Sequence, residues 1–142
     1  MDIELARSDE AIERCSRVLR QLRPSYDHQG LVDRIKRQQK DGYRLVYAHR
    51  NGDVIAVAGF VIGWKLAWGK HIYVDDLVTD EKHRAMGAGH QIIAWLKRYA
   101  RETECSQIHL DSGVQRFAAH RFYLRQGFNI DCHHFALTDI EA

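Results

Sequence analysis

The chain has 142 residues, 45% of them hydrophobic and 28% charged, with a net charge of +2. That is the balance of a folded protein with one core, so a single domain over residues 1–142 is expected. So small a net charge, with its cations grouped at 14–23 and 34–40 as on solvated helix faces, points away from nucleic acid. No apolar run approaches the ~20 residues needed to cross a bilayer, so no membrane partner is expected. The start, Met-Asp-Ile-Glu-Leu, lacks the basic and then apolar pattern of a signal peptide. Cys15, Cys105 and Cys132 show no C-x-x-C spacing and read as reduced thiols, which places the protein in the cytoplasm.

Residues 2–7 alternate, with Ile3 and Leu5 on one face, and predict a short first strand. Ser8 is placed as an N-cap, with Asp9 and Glu10 favourable in the first turn. Ala11, Ile12, Cys15, Val18, Leu19 and Leu22 then recur at helical spacing until Pro24 stops the helix. Residues 30–40 predict a second helix with Leu31, Val32 and Ile35 as its buried stripe, ended by Asp41-Gly42. Residues 43–49 and 54–62 predict two strands joined by an Asn51-Gly52 hairpin turn. Residues 63–69 form a connection holding Trp64 and Trp68, which either cover the edge of the core or wall a substrate site.

A further strand is predicted over 70–79, a helix over 88–104 and a strand over 106–110. Asp111-Ser112-Gly113 reads as a turn. A helix over 115–126 is closed by Gly127, and two short strands, 128–130 and 132–137, end the chain. The predicted order is β-α-α-β-β-β-α-β-α-β-β. Nine histidines raise the question of a metal. His133 and His134 are adjacent and so face opposite ways on a strand, and H-E-x-x-H and C-x-x-C are absent; no metal site is expected.

The most informative stretch runs from Val74 to Gln91, a strand end followed by a polar turn and a glycine-rich helix start. Helix starts leave backbone N–H groups unpaired near the positive end of the helix dipole, a ready site for phosphate. Arg84 adds a full charge. A dinucleotide fingerprint needs a third glycine where Ile92 stands, and no G-x-x-x-x-G-K-[S/T] occurs. What remains is an R-x-x-G-x-G from Arg84 to Gly89. It resembles the acyl-CoA pyrophosphate loop of the GNAT (general N-acetyltransferase) superfamily. Glycines that merely end a loop are the simpler alternative.

A second motif, Ala119-His120-Arg121-Phe122-Tyr123-Leu124-Arg125-Gln126-Gly127-Phe128, resembles the A-x-x-F-Y-x-x-x-G-F signature of the same superfamily. With the element order, the resemblance spans residues 2–138. It implies an α/β (α+β) GNAT-like domain: a central mixed, mainly antiparallel twisted sheet of about six to seven strands with about four helices.

The resemblance further implies an acetyl-CoA-dependent N-acetyltransferase, with direct attack of an amine on the thioester in a ternary complex. The acceptor is expected to be a small-molecule primary amine, with a protein or peptide amine, or a non-catalytic acyl-CoA-binding module, as alternatives. A homodimer is expected on the same ground. Acetyl-CoA would be held by Arg84, Ala85, Met86, Gly87, Ala88, Gly89 and His90, by the strand edge at Leu77, Val78 and Thr79, and by Arg116, Ala119 and Phe122. Tyr123 would protonate the departing thiolate, although a core tyrosine with a satisfied hydroxyl is the structural alternative.

The general base is open between Asp75 and Asp76, with Asp111, His71 and His120 as lesser candidates. Strand alternation sends Asp75 and Asp76 to opposite faces unless a bulge intervenes, with a slight preference for Asp76. Carboxylates there would favour a cationic acceptor. Two positions depart from the family pattern: Arg116 stands where an Asn is common, and Ala85 where a glycine is common.

Overall fold

The computed structural model describes residues 1–141, and backbone packing divides the chain into two compact units, one to Leu110 and one from Asp111 onward. The first unit is a five-stranded sheet in the order β1 (Asp2–Leu5), β2 (Arg44–Arg50), β3 (Asp53–Lys65), β4 (Gly69–Thr79), β5 (Gln107–Leu110). All pairs are antiparallel except β4 with β5. Helices α1 (Asp9–Leu22) and α2 (His28–Lys40) follow β1, and α3 (Ala88–Glu102) separates β4 from β5. No described helix is long and apolar enough to cross a membrane.

The sheet is covered on both faces. Ala11, Ile12, Cys15, Val18 and Leu19 of α1 and Leu31, Val32 and Ile35 of α2 pack with Leu45, Tyr47 and Val57. This is the apolar stripe that the helical spacing predicts. Phe60, on the opposite face, meets Trp95 and Tyr99 of α3 edge-on at 6.2 and 5.7 Å. Coverage on both sides explains why β3 reads as a continuous apolar run rather than an alternating one.

Helix boundaries follow their caps. Ser8 accepts from the Ala11 N–H at 3.1 Å. The second helix starts at His28, earlier than predicted, because Asp27 accepts from the Gly30 N–H at 2.7 Å. Residues 63–69 are less of a loop than predicted: β3 continues to Lys65 and β4 begins at Gly69, whose φ of 67° closes a tight hairpin. Trp64, 76% exposed, does not cover the core edge. Trp68 stacks on His109 at 3.4 Å.

The second unit contains α4 (Phe117–Arg125). The predicted strands 128–130 and 132–137 are not formed, so the sheet has five strands rather than six or seven. Alternating apolar residues there supply a strand pattern, but no partner strand pairs with it among the described residues, and Ile130, Phe135 and Leu137 are at least 74% exposed. The three cysteines are unpaired; burial pushes the Cys15 thiol up to about 12, so it is inert as a nucleophile.

Candidate active site

The site begins with a defect in the sheet. Along β4, Val74 pairs with Phe60 but Asp76 pairs with Gly59, so Asp75 is an extra residue opposite none. This β-bulge cancels the alternation that would separate the two aspartates. Both Asp75 and Asp76 therefore line one cleft of about 250 Å³ on the α1–α2 side of the sheet. Leu19, Arg23 and Tyr26 from the α1 side, and Leu31, Arg34, Ile35 and Gln38 from α2, complete its walls with Tyr43.

The two carboxylates differ. Both Asp76 oxygens are engaged: one accepts from Arg23 Nε at 2.9 Å, the other from the Tyr43 hydroxyl at 2.7 Å. Burial, reinforced by Asp76, pushes the Tyr43 phenol far above its ordinary range, so it stays a donor. Asp75 is the more exposed, and its carboxylate makes no hydrogen bond or ion pair among the described residues. Partial burial and the neighbouring Asp76 raise its carboxyl above the usual range, with Arg23 opposing. Arg23 also donates to the Asp75 carbonyl at 3.1 Å, which holds the bulge in place.

The same strand has an open side. β5 pairs with β4 only from His71 to Val74, so among the described residues Leu77, Val78 and Thr79 have β3 on one edge and no strand on the other. After β4, a 3₁₀ turn (Glu81–His83) leads to Arg84, which is exposed. Gln21 of α1 braces this turn: its amide donates to Asp80 at 2.7 Å and accepts from the Glu81 N–H at 3.0 Å. Ala85 and Gly87 then both take left-handed conformations, φ 71° and 75°, and curl the backbone into the start of α3. Among the described residues, the N–H groups from Ala85 to Gly89 donate to no protein acceptor. Such a curl of unpaired N–H groups beside an arginine fits a pyrophosphate, and the open strand edge fits the amides of a pantetheine arm.

Arg116, Ala119, Phe122 and Tyr123 lie in the second unit, on α4 and its N-cap. Tyr123 is held by a Schellman stop: Gly127 N–H reaches Leu124 C=O and Phe128 N–H reaches Tyr123 C=O, both at 3.1 Å. The Phe128 ring closes on the Tyr123 ring at 5.8 Å. The Gly-Phe that ends the motif is thus a clamp on the tyrosine. Burial raises the Tyr123 phenol, with Arg116 opposing, so it carries its proton at neutral pH.

The lesser base candidates are occupied elsewhere. His71 is buried, with its ring nitrogen 3.0 Å from the Gly69 carbonyl; the partly exposed His120 lies 2.7 Å from the Gly113 carbonyl, and Asp111 pairs with His134 at 3.4 Å. Sequence reasoning missed Arg23, Tyr43 and Gly59. A glycine within an apolar central strand is the signal that would have found them, since it marks close approach by another group.

A strand edge open to a peptide-like arm, running into a helix start open to a pyrophosphate, is the arrangement that an acyl-CoA-dependent acyltransferase requires. Comparison with known proteins makes it particular. The Acetyltransferase (GNAT) family model matches residues 10–128, and the chain belongs to that family. It is an acetyl-CoA-dependent acetyltransferase, with acetyl-CoA as co-substrate.

An uncharacterized N-acetyltransferase of Bacillus subtilis (strain 168), YhdJ, is 30% identical over 120 residues, 83% of this chain and 84% of that protein. An aminoalkylphosphonate N-acetyltransferase of Salmonella typhimurium (strain LT2) is 33% identical over 97 residues, 68% of this chain and 60% of that protein. In fold, the chain is similar to the aminoglycoside N-acetyltransferase AAC(6')-Iy solved in complex with CoA (TM-score 0.84, 16% identity, covering 96% of this chain and 92% of that one).

Proposed function

We propose that the protein acetylates the primary amine of a small molecule by direct attack within a ternary complex. The observation that carries this reading is the cleft of about 250 Å³ beside Asp75, a volume suited to a small acceptor. The similarity to an aminoalkylphosphonate N-acetyltransferase and to an aminoglycoside N-acetyltransferase supports it.

Acetyl-CoA supplies an activated thioester. Arg84 and the N–H groups of Ala85 to Gly89 hold its pyrophosphate, with His90 beside them in the first turn of α3. The Leu77–Thr79 edge aligns the acyl arm, and an N–H there polarises the carbonyl. In the second unit, Arg116, Ala119 and Phe122 keep the cofactor-binding role that their motif implies.

An amine is protonated at neutral pH and must lose a proton before it attacks. Asp75 is the better acceptor of that proton, directly or through water, because its carboxylate is uncommitted and its affinity for a proton is raised. Asp76, committed to Arg23 and Tyr43, is a positioning residue. As the C–N bond forms and the C–S bond breaks, Tyr123 delivers its proton to the thiolate.

The test is to incubate the protein with acetyl-CoA and a panel of small amines and to follow free thiol and acetylated product. Acetylation of peptide N-termini or lysines in preference to every small amine would overturn the reading. Undiminished turnover by Tyr123→Phe would remove Tyr123 from the mechanism.

A further inference from the structure

Resting on the small-amine reading, the charge arrangement of the cleft narrows the acceptor. Four charged side chains line it: Arg23, Arg34, Asp75 and Asp76. Arg23 and Asp76 neutralise each other through contacts at 2.9 Å. What is left facing the cleft is one charge of each sign, the Asp75 carboxylate and the Arg34 guanidinium.

Arg34 stands out on its helix. Leu31, Arg34, Ile35 and Gln38 follow the i, i+3, i+4, i+7 spacing of one face, and all four line the cleft. An arginine and a glutamine therefore occupy the stripe that turns toward the substrate space. The neighbouring cations of α2 are paired outward, Lys36 with Asp9 at 3.2 Å and Arg37 with Asp41 at 3.3 Å. Arg34 makes no hydrogen bond or ion pair among the described residues. An acceptor bearing only cations would place one of them against it. An acceptor bearing one ammonium and one oxyanion would satisfy both residual charges, the oxyanion through the forked donors of the guanidinium.

We propose that the acceptor carries an oxyanion group on the same small molecule as its amine, and that Arg34 selects for it. The shared chemistry is an amino acid in the wide sense, with a planar carboxylate or a tetrahedral phosphonate or phosphate as the acid.

Matched acceptors test this: ethylamine and propylamine against 2-aminoethylphosphonate and 3-aminopropanoate, with 1,4-diaminobutane as the dicationic counter-probe. The phosphonate and carboxylate arms separate the two kinds of acid. The expected result is a kcat/KM about tenfold or more higher for an acid-bearing acceptor than for its plain amine, and lowest for the diamine. Arg34→Gln should lower that ratio about tenfold, chiefly through KM, with Arg34→Lys recovering part of it. Equal or better use of the plain amines or the diamine overturns the inference and leaves the small-amine reading standing. So does a ratio that Arg34→Gln does not move. Failure of all five amines to release thiol overturns both.

Discussion

The Tyr43 hydroxyl reaches Asp76 at 2.7 Å through space that exists only because residue 59 has no side chain. A Cβ on Gly59 would fall 1.6 Å from that hydroxyl oxygen and 2.2 Å from the ring carbon bearing it. Gly59→Ala should therefore expel Tyr43 and destabilise the protein by about 1–3 kcal/mol, measurable by urea unfolding. Tyr43→Phe keeps the ring and loses only the hydrogen bond, and should cost about 1 kcal/mol. Of the two, Gly59→Ala should also lower acetyl transfer more, because the displaced ring enters the cleft.

Asp75 should show opposite effects on activity and stability. Its raised carboxyl means that acid protonates it earlier than an ordinary carboxylate, so kcat/KM should fall on the acid side with a midpoint above the usual ~3.9. Asp75→Asn should remove that limb and lower kcat by roughly 10²–10⁴. For stability the sign reverses. A raised folded-state value means the charged form is disfavoured by folding, so the contribution of Asp75 is intact below its unfolded value and lost as pH rises. Asp75→Asn should melt higher than the parent at pH 7, with the gap closing below about pH 4.

Asp80 should titrate in the opposite sense. Burial works to raise its carboxyl, but hydrogen bonds from Gln21 and His83, at 2.7 and 2.6 Å, outweigh it and the net shift is downward. Its stabilisation is present above the unfolded value near 3.9 and is lost as pH falls through the folded value. Asp80→Asn should cost about 1 kcal/mol at pH 7, and melting curves of the two proteins should converge under acid. The brace that it anchors joins α1 to the phosphate-side turn, so KM for acetyl-CoA should rise as well.

Ala85 holds φ 71°, a left-handed conformation that a Cβ disfavours. Ala85→Gly should stabilise the loop by about 0.5–1 kcal/mol, relief of strain outweighing the added freedom of the unfolded chain. If Arg84 holds the pyrophosphate as proposed, Arg84→Ala should raise KM for acetyl-CoA with little change in kcat, since that part of the co-substrate does not react. Urea unfolding checks the first, and isothermal titration with CoA together with steady-state kinetics checks the second.

The sequence by itself determined the helices, the hairpin, the strand–turn–helix at 74–91 and both motifs. Each rests on local physics: apolar period, the capping side chain at Ser8, and residues that accept positive φ at Asn51-Gly52, Gly87 and Gly127. Ala85 shows its limit, a departure from the family pattern on paper that turns out to keep a glycine-like backbone.

Tertiary structure decided what depends on partners distant in sequence. Asp75 and Asp76 share a face because β3 and β4 slip by one residue at Gly59, and register is a property of two strands, not of either alone. The terminal apolar alternation at 128–137 read as strands for the converse reason: a strand also needs a neighbour to take its backbone hydrogen bonds. The division of labour between the aspartates came from Arg23 and Tyr43, more than 30 residues away in sequence and brought to Asp76 only by folding.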